Sequence, residues 1–188
     1  MYKQLVRPLL FSGLKADPEW LHNHSMNLLQ WLEKNQDQLP AHLILQQLSA
    51  QCYYSEKRLA QTLWGITFPN PLGLAAGFDK NGVAASIWNY FGFGYVELGT
   101  VTEHPQPGNP PPRLFRLLKD EAALNRMGFN NKGSEALAQC LAKQAKRERK
   151  LPWGINLGKS KVTPLEEAAQ DYLTSFLRLR EWGDYFVV

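Results

Sequence analysis

Cysteine is scarce in this chain: two residues among 188, Cys52 and Cys140, far apart and in no CxxC pair. A disulfide framework is not expected, and both thiols should stay reduced in the cytoplasm. No metal site is expected either. His22 and His24 lie two apart on an expected helix and face different ways, unlike the i, i+4 spacing of a metal pair. No apolar run approaches the ~20 residues that cross a bilayer, so any membrane contact is expected to be peripheral. The opening MYKQLVRPLLF lacks both a long apolar core and a small-residue cleavage site, so no signal peptide is expected there. Charge of one sign is also modest, at +4. Part of it comes from Lys143, Lys146, Arg147, Arg149 and Lys150, where a basic run suits the C-terminal dipole of an expected helix. With no base-stacking or recognition motif beside that run, nucleic acid is not an expected partner.

What is present is an ordinary globular composition, 44% hydrophobic and 20% charged, divided into two regions of different character. Residues 1–63 read as helical. Asp17 is a good N-cap, Pro18 suits the first helical position and Glu19 favours the positive end of the dipole. Leu21, Leu28 and Leu32 recur on one face, widened by Trp20, Leu29 and Trp31, while Asn23, Asn27, Gln30, Glu33 and Lys34 cover the other. A second helix after Pro40 carries Leu43, Ile44, Leu45 and Leu48.

Residues 64–188 alternate between strand and helix patterns. Strands are expected at 71–77, 94–102 and 153–158, with a fourth beginning at 185. Helices are expected at 81–91, 133–146 and 163–182, the last with Thr163 as cap, and a hairpin at 113–125. Such repeats imply a parallel sheet with covered faces. From Phe68 onward there are about 120 residues, against ~250 for a complete eight-unit barrel. The expected fold is therefore α/β, the N-terminal half of a (β/α)8 TIM barrel preceded by a small helical membrane-associating region, truncated in strand 4. A small open α/β sheet is the alternative.

Chemistry concentrates where strands end, which in a barrel is the ligand-binding mouth. Residues 70–82, NPLGLAAGFDKNG, put the small residues Ala75, Ala76 and Gly77 where a flat ring could rest on the backbone. Asp79 and Lys80 follow, the lysine able to neutralise an anionic ligand. An ordinary strand-to-helix turn with a solvated lysine would read the same way. The next strand delivers Glu97, Leu98, Gly99 and Thr100. NRMGFNN at 125–131 gathers three asparagines and an arginine around Gly128, either a clamp for an amide-bearing anionic heterocycle or a run of turn formers. Asn156 puts one amide at the end of an apolar strand.

Taken in order and spacing, DPEWLH, AAGFDK, ELGTVT, PRLFRL, NRMGFNNKG and INLGKSK resemble the quinone-dependent, membrane-associated class of dihydroorotate dehydrogenases over nearly the whole chain. The resemblance implies oxidation of (S)-dihydroorotate to orotate, with a membrane quinone as acceptor through flavin mononucleotide (FMN), in pyrimidine (UMP) biosynthesis. It also implies a peripheral position on the cytoplasmic face of the inner membrane. By motif it assigns Ala76, Gly77, Phe78, Asp79, Lys80, Thr100 and Asn156 to the flavin. Lys80, Asn125, Arg126, Met127, Gly128 and Phe129 go to the dihydroorotate, and His22 and Arg116 to the quinone end. The catalytic base is expected beyond Val188, so these 188 residues alone are expected to be inactive. Alternatives are another flavin-dependent barrel oxidoreductase and a non-catalytic fragment that binds a membrane or partner.

Overall fold

The computed structural model describes residues 17–117 and 119–188; the opening segment MYKQLVRPLLF lies outside them. Helix α1 (Pro18–Lys34) starts as its sequence dictates. Asp17 Oδ1 accepts the Trp20 N–H at 2.7 Å, and Pro18 takes the first helical position. Helix α2 (Ala41–Cys52) follows. A small hairpin comes next, β1 (Gln61–Leu63) with β2 (Ile66–Phe68), turned by Trp64 and Gly65, both at positive φ. Its strands are too short to show a period in the sequence, and it straddles residue 63.

The remaining elements are β3 (Gly73–Leu74), β4 (Tyr95–Val101), a second hairpin of β5 (Leu114–Leu117) and β6 (Ala122–Asn125), α3 (Gly133–Gln144), β7 (Trp153–Leu157), α4 (Ala168–Leu179) and β8 (Tyr185–Val187). Strands β3, β4, β7 and β8 lie side by side in that order, every pair parallel. Spatial neighbours follow chain order, which is how a strand–helix barrel grows.

The outer face of this sheet buries Val96 and Leu98 of β4 and Ile155 of β7 with Leu137 and Leu141 of α3 and Leu179 of α4. Leu32 of α1 and Ala41 and Leu45 of α2 belong to the same core, so the helical region docks on the barrel half through one edge. The inner face alternates small and large residues. A Cβ on Gly73 would collide with the Tyr95 ring, and one on Gly154 with the Tyr185 ring. These glycines let two large rings fill a tapering interior.

Three expectations are corrected. Residues 81–91 form a 3-10 helix only over Ala85–Phe91. The preceding turn is captured by the fully buried Asp79, whose Oδ1 accepts the Val83 N–H at 2.8 Å and whose Oδ2 accepts the Ala84 N–H at 2.9 Å and Trp88 Nε1 at 3.1 Å. The helix expected from Thr163 begins later. Pro164 is extended (ψ 157°), and the Thr163 hydroxyl donates to Asp171 Oδ2 instead of capping. The faces of α1 are also split differently. Leu32 enters the core and Leu28 is exposed, while Glu33, expected on the solvated face, is buried and receives hydrogen bonds from Ser86 and Arg147.

Asp79 therefore governs the first strand-to-helix connection. Asp79→Ala leaves three buried donors without an acceptor and should lower the unfolding free energy by about 3–5 kcal/mol. Urea denaturation of the folded protein checks this; a loss below about 1 kcal/mol would contradict the assigned role.

Candidate functional site at the C-terminal ends of the strands

The ends of β3, β4 and β7 meet at one floor. Beyond β3 the chain bends back, so that the Gly77 N–H donates to the Gly99 carbonyl of β4 at 2.7 Å. Gly77 adopts φ +102°, a left-handed conformation that favours glycine, and a Cβ there would meet nothing within 4 Å. The space above this backbone is open. Beside it the Thr100 hydroxyl donates to Asn156 Oδ1, which fixes the amide orientation and leaves Asn156 Nδ2 with no partner among the described residues. Gly77, Thr100 and Asn156, expected together from three separate motifs, thus form one surface.

Lys80 rises from the edge of this floor. Its ammonium donates to Asn130 Oδ1 at 2.9 Å and approaches Met127 Sδ at 3.2 Å. Partial burial holds its pKa below the ordinary lysine value; the positive charge of Arg113 adds to this and Glu19 opposes it. Two clefts meet at this lysine. One, about 490 Å³, runs beneath α1 and is lined by Pro18, Leu21, His22 and Ser25 on one side and by Leu114, Arg116, Asn125 and Met127 on the other, with Gly77, Phe78 and Lys80 at its inner end. The other, about 250 Å³, is polar and includes Asn23, Asn27 and Gln30 of α1 with Asn81, Asn130 and Lys132. The carboxamide stripe of α1 therefore faces a cleft inside the molecule.

His22 is set edge-on against Phe78, ring centroids 5.0 Å apart, and Phe78 stacks in turn on Trp88. Burial holds the His22 imidazole below its ordinary pKa, Lys80 pushes it further down, and Glu19 offsets part of the effect. The ring is thus neutral at pH 7.

The structure brings Ala76, Gly77, Phe78, Lys80, Thr100, Asn156, Asn125, Met127, His22 and Arg116 to the floor or the larger cleft. Asp79 is different: its carboxylate is spent on the turn and has no exposure. Within 125–129 the extended chain alternates. Asn125 and Met127 face the cleft, whereas the Arg126 guanidinium donates to the Pro112 carbonyl, Gly128 packs on the Asn109 side chain, and Phe129 is exposed. Arg126, Gly128 and Phe129 accordingly shape the loop and do not line the cleft.

Sequence reading missed two features. Asn131, nearly buried, braces the loop by donating to Thr102 Oγ1 and the Phe129 carbonyl and accepting from the Gly133 N–H. Arg113 forms a bidentate ion pair with Glu19, 94 positions away in sequence. Only the capping preference of Glu19 was visible beforehand. Among the described residues no group of three or more His, Cys, Asp or Glu side chains could hold a metal ion.

A parallel strand–helix sheet with a glycine floor and a lysine at its mouth defines a ligand-binding half of a β/α barrel. Residues 58–188 match the family model described as dihydroorotate dehydrogenase. The chain is 57% identical over 189 residues to the dihydroorotate dehydrogenase (quinone) of Acaryochloris marina and 59% identical over 188 residues to that of a Nostoc species, covering 100% of this chain and 50% of each relative. Among solved structures, the dihydroorotate dehydrogenase of Eimeria tenella in complex with ferulenol superposes with a TM-score of 0.74 at 36% identity. That match covers 90% of this chain and 42% of the other. The chain belongs to the dihydroorotate dehydrogenase family, and it spans about half the length of the curated relatives it matches.

The electrostatics of the cleft give a checkable sign. Because the folded-state pKa of His22 is depressed, its contribution to stability is fully present above the ordinary value of 6.5 and is lost as pH falls through the depressed pKa. Proton NMR of the folded protein should find His22 titrating below 6.5, and Lys80→Met should move it upward by removing a neighbouring positive charge. Titration at or above 6.5 in the parent protein would contradict this picture.

Proposed function

We propose that the whole protein containing this chain oxidises (S)-dihydroorotate to orotate, using FMN and a membrane quinone, in UMP biosynthesis. The observation that carries this reading is the cleft beneath α1. Its inner end is polar, with Gly77, Lys80 and Asn125, and its outer reach is lined by Pro18, Leu21, His22 and Leu114. A cleft with these two ends suits a polar heterocycle at the floor and a lipid-soluble acceptor arriving from outside.

The residues present fit FMN. Open space over Gly77 accommodates a flat ring, Asn156 Nδ2 is free among the described residues to donate to a ring heteroatom, and Lys80 supplies a cation at the ring's edge. When bound, the flavin supplies a hydride acceptor, which no side chain can provide. Lys80, held by Asn130 and Met127, stabilises negative charge on a substrate carboxylate or at the redox centre. An arriving anion offsets the desolvation that depresses its pKa, so the ammonium form is favoured when ligand is bound. Asn125 orients the heterocycle through its amide, and its Oδ1 is tied to the Met127 N–H at 2.9 Å. The proton leaves to a base expected from the part of the whole protein beyond residue 188.

We assign residues 1–63 to membrane association and quinone access, and 64–188 to the flavin-binding half barrel. Supporting this, Trp20, Leu28 and Trp31 on α1 are 52%, 58% and 40% exposed, and Leu43 and Ile44 on α2 are exposed as well. An outward apolar face on helices whose polar stripe faces inward suits the interface of a bilayer. No helix among the described residues is long and apolar enough to cross one, which favours peripheral attachment. The free cysteines agree with the cytoplasmic side.

In the full-length flavin-loaded protein, Lys80→Ala should slow flavin reduction by dihydroorotate by ~10²–10³ in stopped-flow absorbance. Near-parental speed would remove Lys80 from the mechanism. Replacing Leu28, Trp31 and Leu43 together with Ser should weaken binding to phospholipid vesicles at least about tenfold, the loss of three partly buried apolar side chains. Unchanged co-sedimentation would exclude this face as the membrane surface.

A further inference from the structure

Helix α1 crosses the mouth like a strap, with an ion pair at each end, and the two anchors are unequal. At its C-terminal end Glu33 and Asp37 both engage Arg147, Leu32, Glu33 and Gln36 are buried, and the Ser86 hydroxyl joins Glu33 to Gln36. That end is part of the core. At the other end no residue from 17 to 25 is buried. What holds this end is Arg113. Its Nε donates to Glu19 Oε2 at 2.9 Å and its Nη2 to Oε1, while Nη1 donates to the carbonyls of Pro107 at 2.6 Å and Asn109 at 2.8 Å. Guanidinium and carboxylate are only 11% and 16% exposed.

The pair sits on the seam of the larger cleft. One wall consists of Pro18, Leu21 and His22, all within one turn of Glu19; the other contains Leu114 and Arg116, within three residues of Arg113. We propose that Glu19 and Arg113 form a latch that fixes the first two turns of α1 against the β5 hairpin and so sets the entrance through which the hydrophobic acceptor reaches the floor. Both are positioning residues, and the assignment rests on the acceptor route proposed above. The charges explain why the latch is needed. Arg113 and Lys80 approach one another across the cleft, and Glu19 is the negative charge that faces both. Without Glu19, like charges press the two walls apart, and the cleft loses its width along with its anchor.

Glu19→Gln in the full-length, flavin-loaded protein is the informative variant, because Arg113 keeps its two carbonyl partners. Amide hydrogen exchange over residues 18–25 should accelerate about tenfold or more, the loss expected for a charge-assisted pair, while residues 29–36 and the strands β4 and β7 stay protected. The KM for a long-tailed quinone should rise about tenfold, with a smaller change in flavin reduction by dihydroorotate. Arg113→Lys, which keeps the charge and loses the fork, should show the same pattern more weakly. Unchanged exchange over 18–25 in both variants overturns the latch, as does exchange that rises equally throughout the molecule. A parent protein whose flavin is reduced by dihydroorotate but not reoxidised by any quinone overturns the acceptor route, and the entrance role with it, whatever the exchange data show.

Discussion

A carboxylate sealed from water holds the loop on which the site depends. Asp79 accepts three hydrogen bonds from Val83, Ala84 and Trp88, and burial raises its pKa against their opposing pull. Those bonds fold the chain tightly just after β3. The bend turns Gly77 toward Gly99, lays Phe78 between His22 and Trp88, and raises Lys80 between two clefts. The residue least accessible to any ligand thereby fixes the position of three that border the site. Its cost in desolvation is offset only because each donor is satisfied, so the loop has little freedom to deform.

Much of the fold was legible because its signals are local. Asp17–Pro18–Glu19 announces a helix start, and the apolar runs around Val96 and Ile155 announce buried parallel strands. The β5–β6 hairpin also follows the expected segment closely. What escaped was decided at long range. The polarity of α1 reads as a core-facing stripe with a solvated back, yet Asn23, Asn27 and Gln30 face an internal cleft and Trp20 and Leu28 face outward. Hydrophobic periodicity identifies two faces but does not say which of them faces the rest of the molecule.

The site follows the same division. Motifs brought Gly77, Thr100 and Asn156 into view separately, and the parallel register makes them neighbours, with Gly99 opposite Asn156. Residues 125–129 were legible as a block, but extended backbone alternates its side chains, and only Asn125 and Met127 enter the cleft. The bond between Glu19 and Arg113 spans 94 positions and leaves no trace in composition or spacing. Yet it and Lys80 share one electrostatic environment, in which each positive charge raises the cost of the next and one carboxylate moderates them all.

The outward face of α1 carries its own optical scale. Trp20 and Trp31 are eleven residues apart, which at 100° per residue returns nearly to the same side of the helix, and ~16 Å apart along its axis. Both indoles are exposed, whereas Trp88 and Trp153 are buried in the core. An indole's emission wavelength tracks the polarity around it. On a helix lying flat against an apolar medium these two chromophores occupy one depth and share one colour. Any tilt separates them along the polarity gradient, so the angle at which this helix meets its surroundings is written into the difference between two native fluorophores.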